Sequence, residues 1–199
     1  MSSQRHIDDT EVAILDAARE CVLAVGVRRT TLTDVARRAG LSRMTLYRRH
    51  PDVRSLVAEV MTREFGALLA AEDRRDLTAP DERSRLVGHT VAAVAALRAN
   101  PLLGKVLDVD PELLLPYVID RLGGTQRRAE AFFVDRVTAG QRDGSVRAAE
   151  VTVLARTLLL TTQSFVLSLG PASEGLDPGD LYRELARLLH GYLTPERAP

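Results

Sequence analysis

Side chains that could contact a nucleic acid are concentrated in one part of this 199-residue chain. Residues 26–54 hold eight arginines against two aspartates, whereas the whole chain balances 27 basic against 27 acidic residues. The rest of the chain is therefore net acidic, and a basic region on an acidic body presents one end of a molecule to phosphate. An ordinary solvated helix surface would explain some of these arginines, Arg37 and Arg38. It leaves unexplained three others that share one short segment, Arg43, Arg48 and Arg49.

Two short helices joined by a tight turn are predicted within residues 31–50. Thr31 is suited to cap the first helix, and Asp34 can reach back to its amide as in a capping box. Gly40 ends that helix, because a left-handed backbone costs little only without a β-carbon. Ser42 caps the second helix. Apolar residues at helical spacing mark the inner surfaces: Leu32, Val35, Ala36, Ala39 and Leu46. The pattern predicts a helix-turn-helix whose second helix enters the major groove of DNA.

Individual DNA contacts can be assigned by side-chain chemistry. Arg43 is the leading candidate for bidentate recognition of guanine, and the methyl group of Thr45 suits that of thymine. Met44 either adds an apolar base contact or fills space. One of the pair Arg48 and Arg49 is expected at phosphate, and the other is expected to pack or face solvent. The remaining candidates for backbone contacts are Thr31, Thr33, Tyr47 and Arg54.

The segment T-T-L-T-D-V-A-R-R-A-G-L-S-R-M-T-L-Y, with a helix before it, resembles the DNA-binding head of the tetracycline-repressor (TetR) family over about residues 8–60. The resemblance implies an all-α homodimer. It further implies an N-terminal three-helix helix-turn-helix DNA-binding domain, residues 8–56, and a C-terminal helical bundle, residues 57–199, for ligand binding and dimerisation.

Two positions depart from the family pattern. His50 stands where an aromatic residue is usual, and we expect it to pack and cap the helix rather than to bind a ligand. Val53 stands where a lysine usually reaches a phosphate. Arg54 follows it, but a shift of one position turns a side chain by about 100° on a helix, so that contact is left open.

Beyond residue 77 the chain is predicted to be helical, with one helix opening at Asp110-Pro111 and two long final helices over 149–169 and 178–193. The final helices carry apolar stripes: Leu154, Leu158, Thr161, Thr162, Phe165 and Leu169 on one, and Leu181, Leu185, Leu188, Leu189 and Tyr192 on the other. These stripes predict a four-helix dimer interface, with packing inside each subunit as the alternative. Dimerisation is favoured because a helix-turn-helix usually needs two copies to contact two half-sites.

A small-molecule effector is expected between the helices of the C-terminal part. His89 and Gln163 could orient it, although such polar residues are more often satisfied core positions. The predicted apolar lining consists of Leu103, Leu107, Leu114, Tyr117, Phe133 and Phe165. The low aromatic content favours an aliphatic or mixed effector over a flat, stacking one.

Enzymatic and membrane functions are not expected. The chain contains no nucleophile elbow, P-loop or dinucleotide fingerprint. Its four histidines and single cysteine do not pair at metal-ligand spacing, so neither a metal nor a cofactor is predicted. No secretory signal is recognised, and the cytoplasm is the expected location. The sequence thus predicts an effector-responsive repressor of a palindromic operator. A helical DNA-binding protein without an effector and a helical interaction adaptor remain the alternatives.

Overall fold

A computed structural model describes residues 2–75 and 78–196, with side chains from residue 9 onward. Within these residues the chain forms nine α-helices and no strand, which confirms the predicted all-α class. The helices are α1 (Ser2–Val25), α2 (Leu32–Arg38), α3 (Arg43–Arg49), α4 (Val53–Asp73), α5 (Glu82–Arg98), α6 (Pro101–Val109), α7 (Gly124–Arg142), α8 (Val151–Ala172) and α9 (Pro178–Leu193).

The chain divides into two compact units, one of Met1–Phe65 with Asn100–Gly124 and one of Gly66–Ala99 with Thr125–Pro199. The first unit therefore includes α6 as well as the predicted helix-turn-helix. The predicted domains, residues 8–56 for DNA binding and residues 57–199 for ligand binding and dimerisation, are defined by function and not by packing. That division stays a prediction.

The first unit is built around a small apolar core. Its helices contribute fully buried side chains at helical spacing: Ile14, Ala18 and Val22 from α1, Val35 from α2, Leu46 from α3, Leu56 and Val60 from α4, and Leu102 and Val106 from α6. α2 packs on both α1 and α3, and α6 packs on α1. Burial of each valine, leucine or isoleucine side chain contributes about 1.5–3 kcal/mol, so this core fixes the orientation of α3.

The buried carboxylate of Asp110 ties the loop after α1 to the end of α6. Asp110 is 0% exposed, and it accepts hydrogen bonds from the backbone N–H groups of Val27 at 2.7 Å and Arg28 at 3.3 Å. The backbone at Gly26 packs closely against the end of α6, since a β-carbon on Gly26 would lie 3.0 Å from the side chain of Val109. Gly26 also has a φ of +81°, a conformation that favours glycine. This loop leads directly into α2.

In the second unit, α5 packs against α8 and α9. The core includes most of the apolar stripes predicted on the last two helices: Leu154, Leu158, Thr162 and Leu169 of α8, and Leu185 and Leu189 of α9. These six residues therefore pack inside one subunit, which is the alternative that the sequence left open. The other five members of the stripes are half-buried or, in the case of Leu188, exposed, so the interface through α8 and α9 stays a prediction.

The prediction of a single helix from Asp110-Pro111 through Ile119 is wrong. The structure has a short 3₁₀ turn, Pro111–Leu113, followed by a π-helix, Pro116–Asp120. Pro116 lacks a backbone N–H and its ring crowds the preceding turn, so a continuous α-helix is broken there.

Candidate nucleic-acid interface

The α2–turn–α3 segment is fixed by local hydrogen bonds that its sequence encodes. The Thr31 hydroxyl accepts the N–H of Asp34 at 3.1 Å and donates to the Asp34 carboxylate at 2.6 Å. Gly40 has a φ of +68°, and the N–H of Leu41 reaches back to the carbonyl of Ala36 at 2.9 Å, which closes α2. The Ser42 hydroxyl accepts the N–H of Thr45 at 3.1 Å and so begins α3. The predicted helix-turn-helix is confirmed.

One side of α3 is anchored and the opposite side is uncovered. Leu46 is 0% exposed, and His50, which ends the helix, is 2% exposed. The uncovered side carries Arg43, Met44, Tyr47 and Arg48, with Met44 79% and Tyr47 54% exposed. These four positions form one continuous surface because residues three or four apart lie side by side on a helix. We call these four residues the α3 surface.

Ion pairing distinguishes the arginines of the basic region. Four of them are engaged within the first unit: Arg28 with Asp110 and Glu112, Arg37 with Asp34, Arg38 with Glu20, and Arg49 with Glu11. Neither Arg43 nor Arg48 forms an ion pair or hydrogen bond to another side chain in residues 9–75 and 78–196. Uncompensated positive charge therefore lies on the α3 surface, where a polyanion could neutralise it.

The other predicted DNA contacts flank the α3 surface or hold it in place. Thr31 is exposed, Thr33 is half-buried in the first turn of α2, and the Thr45 hydroxyl lies 2.8 Å from that of Ser42. Arg49 is half-buried, and its guanidinium lies 2.9 Å from Glu11. Of the two last arginines of α3, Arg48 is thus the one free to reach phosphate, and Arg49 joins α3 to α1.

Arg54 lies beside acidic groups. It is exposed and lines a half-open cleft of about 310 Å³ together with Arg28, Asp110 and Glu112. A hydrogen bond from Arg28 holds the pKa of the Glu112 carboxyl below its ordinary value, and the charge of Arg54 acts in the same direction. The charge of Arg54 is therefore partly offset inside its own unit. Its contact with a phosphate stays a prediction.

The predicted ligand-lining residues belong to both units, four to each. Leu103 and Leu114 are buried, and Leu107 and Tyr117 half-buried, in the first unit. In the second unit His89 and Phe133 are buried, and the His89 ring lies 3.2 Å from the carbonyl of Arg75. Phe165 is half-buried, and the side-chain amide of Gln163 is hydrogen-bonded to that of Gln126. The effector site built from these residues stays a prediction.

A group of side chains behind α3 was not predicted from the sequence. The carboxylates of Glu11 in α1 and Glu59 in α4 lie on either side of the buried His50 ring, with closest N–O distances of 3.1 Å and 3.6 Å. No spacing rule links these three residues, because they come from three separate segments of the first unit. The only signal was His50 itself, a polar residue at the position where the family has an aromatic one.

Helix α8 leaves apolar side chains uncovered in the second unit. Val153 is 59% and Leu160 66% exposed, and Leu188 of α9 is 51% exposed. Among the described residues, α8 is also the one single helix whose length and composition would allow a membrane crossing, with 28% of its apolar window buried; α5 and α6 pass the same test only as a bent pair. However, α8 packs on α5, and Arg156 of α8 is paired with Glu130 at 2.8 Å. Helix α8 is therefore packed in the second unit on one side and uncovered on the other.

Known proteins similar to this chain are bacterial transcriptional regulators, and the similarity covers nearly the whole chain. Residues 14–60 match the family described as bacterial regulatory proteins, tetR family. An HTH-type transcriptional regulator of Mycobacterium bovis is 40% identical over 185 residues, which is 93% of this chain and 95% of the relative. A regulator of the same type from Mycobacterium tuberculosis matches to the same extent.

Solved structures show the same fold. The R. erythropolis repressor QsdR superposes with a TM-score of 0.69 at 14% identity, covering 96% of this chain and 99% of that one. FadR from Bacillus subtilis, in complex with stearoyl-CoA, superposes with a TM-score of 0.66 at 15% identity over 92% of this chain and 98% of that one. At such identities the similarity concerns the fold alone.

Proposed function

This chain belongs to the tetR family of bacterial regulatory proteins, and from that premise we propose that it is a repressor whose homodimer binds a palindromic DNA operator and releases it when a small molecule binds. The observation that carries the proposal is the α3 surface, which is uncovered and holds two arginines without a partner in the described part of the chain. As a regulator of transcription it acts in the cytoplasm, where bacterial DNA lies.

In the proposed complex, α3 enters the major groove. Arg43, in the first turn of α3, contacts a guanine edge with two hydrogen bonds, and Met44 and Thr45 supply apolar contacts to thymine methyl groups. Tyr47 and Arg48 contact phosphates, which set the register of the helix without reading sequence. Arg49 has a supporting role, because its ion pair with Glu11 keeps α3 in place.

The threonines of α2 and the first residues of α4 complete the proposed contacts with the DNA backbone. Thr31 and Thr33 lie at the start of α2, and their hydroxyl groups can donate to phosphate oxygens. Arg54 is the candidate for the contact that the missing lysine makes elsewhere in the family. Its acidic neighbours Asp110 and Glu112 make this the weakest of the proposed phosphate contacts.

The proposed homodimer forms through α8 and α9. Val153 and Leu160 of α8 lie seven residues apart, so they share one side of the helix, and Leu188 is a large exposed apolar residue of α9. Both helices pack on α5, and exposed apolar residues of this kind are typical of an interface. A second copy of the chain is the proposed occupant, since two helix-turn-helix segments are needed to bind both half-sites of a palindrome.

The proposed effector is an aliphatic molecule. Support comes from the scarcity of aromatic residues, 4% of the chain, which leaves few side chains to stack on a flat ligand. FadR of Bacillus subtilis, which has the same fold, is found in complex with stearoyl-CoA. A long-chain acyl thioester is therefore the first compound to test.

The experiment is a binding assay with short duplexes that tile the region beside the protein's own gene, each compared with a scrambled duplex of equal composition. We expect one duplex to bind preferentially, with an affinity that falls steeply as salt rises. Stearoyl-CoA added to that complex should release the DNA. Binding that persists with every acyl chain tested would favour a DNA-binding protein without an effector of this class. Failure to bind any duplex at low salt would favour an interaction adaptor and contradict the proposal.

A further inference from the structure

Three side chains behind α3 lie close together in the first unit. Glu11 of α1, His50 at the end of α3 and Glu59 of α4 each present a ligand atom, and these atoms lie within 4.8 Å of one another. The His50 side chain is 3% exposed, whereas that of Glu59 is 54% exposed. The group is thus anchored in the core and open to solvent on one side.

Glu11 determines which nitrogen of the His50 ring is free. The Nε2 atom lies 3.1 Å from Oε1 of Glu11, at hydrogen-bond distance, and the second carboxylate oxygen of Glu11 accepts a hydrogen bond from Arg49 at 2.9 Å. A neutral imidazole has one N–H, and when that N–H is on Nε2 it donates to Glu11, since a carboxylate can only accept. In this tautomer the Nδ1 atom carries a lone pair.

In this tautomer the Nδ1 lone pair lies beside the carboxylate of Glu59. Nδ1 of His50 is buried and has no hydrogen-bond partner, and it lies 3.6 Å from Oε1 of Glu59. This separation is longer than the roughly 2.7–3.2 Å of a hydrogen bond. It is close to the roughly 3.3–3.4 Å between two ligands of a tetrahedral zinc ion with bonds of about 2.0–2.1 Å. A cation between the two atoms would replace the repulsion with two coordinate bonds.

We propose that Nδ1 of His50 and the carboxylate of Glu59 bind a divalent transition-metal cation of the zinc type, with Glu11 as the positioning residue that orients the ring. A histidine that ligates a metal through one nitrogen usually donates its other N–H to a carboxylate, which is the arrangement of His50 and Glu11. The mixed nitrogen and oxygen donors suit zinc rather than magnesium or calcium. Water completes the coordination on the open side. The ion links the end of α3 to α4.

The test is a titration of the full-length protein with zinc chloride, without DNA, at constant pH. We expect one zinc ion per chain by calorimetry, released by EDTA. Zinc at about a hundred times its Kd should raise the Tm by roughly 5–10 °C. No zinc binding, or stabilisation of the chain by acidification but not by zinc, would overturn the proposal. Because DNA is absent, this result is independent of the proposed function.

Variants locate the site. His50→Phe keeps an aromatic ring in the core and should lose zinc binding. Glu59→Gln changes an exposed side chain without disturbing the fold, and it should lose zinc binding too. Glu11→Gln should keep one site per chain with about 10–100-fold weaker affinity. Glu20→Gln is the matched control, because Glu20 is also a carboxylate of α1 paired with an arginine, and zinc affinity should not change. Undiminished zinc binding by His50→Phe and Glu59→Gln would overturn the proposal.

Discussion

Helices α3 and α8 each have one side buried in their own unit and one side uncovered, but the uncovered sides differ in chemistry. On α3 the uncovered residues are two arginines, a tyrosine and a methionine, all within seven residues. On α8 the large uncovered apolar residues are Val153 and Leu160, and Arg156 on the same side is paired with Glu130. Both helices are buried on their inner side, with Leu46 in α3 and Leu154 and Leu158 in α8.

The difference indicates what each uncovered side can bind. Contact with phosphate or guanine is favourable in free energy for an unpaired guanidinium group, and exposure of that group to water costs little. Exposed aliphatic side chains stabilise a complex only when another apolar surface removes them from water. The α3 surface is therefore suited to DNA, and the uncovered side of α8, with Val153 and Leu160, is suited to a second copy of the chain.

The largest effect is expected from Leu160→Glu. A carboxylate in an apolar dimer interface would have to be buried without a partner, so the dimer should dissociate. Affinity for the operator should then fall by about 10²–10⁴-fold, because each half-site would be bound independently. Analytical ultracentrifugation and operator titration measure the two effects. Ile119→Glu is the control: Ile119 is 73% exposed but lies outside α8 and α9, and the variant should remain dimeric. A dimeric Leu160→Glu protein would show that α8 faces something else.

Arg43→Ala should affect DNA recognition without affecting the dimer. Loss of a bidentate contact with guanine costs about 1–3 kcal/mol of discrimination per half-site, so the preference for operator over scrambled DNA should narrow. Arg38→Ala is the matched control on α2, since Arg38 is already paired with Glu20. Competition titrations with both duplexes measure the preference. Equal losses on operator and scrambled DNA would reject a base contact for Arg43.

Tyr47→Phe should have a smaller and less selective effect. Removal of one hydroxyl that donates to phosphate costs about 1 kcal/mol. Because phosphates are alike in every sequence, binding to operator and to scrambled duplex should weaken by the same factor. The same competition titrations give the result, and a loss confined to the operator would show that Tyr47 contacts a base.

Asp81→Ala is expected to change stability and neither binding surface. Asp81 caps α5 by accepting the N–H of Ser84 at 2.7 Å, and this bond lowers the pKa of the carboxyl below its ordinary value of 3.8. Loss of the cap should cost about 1 kcal/mol and lower the Tm by about 2–4 °C at pH 7.

The pH dependence of that loss has a definite sign. A lowered pKa in the folded state means that the cap stabilises the protein above pH 3.8, and that this contribution disappears as the pH falls through the folded-state pKa. The difference in Tm between wild type and Asp81→Ala should therefore shrink in strong acid. A difference that grows as the pH falls would contradict the assigned role of Asp81.

The sequence predicted the helix-turn-helix well because its determinants are local. Thr31, Gly40 and Ser42 act on backbone groups within five residues of themselves, so their effect is visible in the chain order. The sequence left open whether the apolar stripe of α8 packs inside one subunit or in a dimer, since apolar residues occur on both sides of that helix and packing on α5 decides which are buried. The contacts of His50 with Glu11 and Glu59 bring together three distant segments and could not be read from spacing.

The most direct test of the central claim is the salt dependence of operator binding by wild type and by Arg48→Ala. The slope of log affinity against log salt reports the number of phosphates neutralised, at about 0.9 per phosphate. If Arg48 contacts a phosphate from each subunit of a dimer, the slope should decrease by about 2 in the variant. An unchanged slope, or a wild-type protein that binds no duplex in dilute buffer, would contradict the assignment of the α3 surface to DNA.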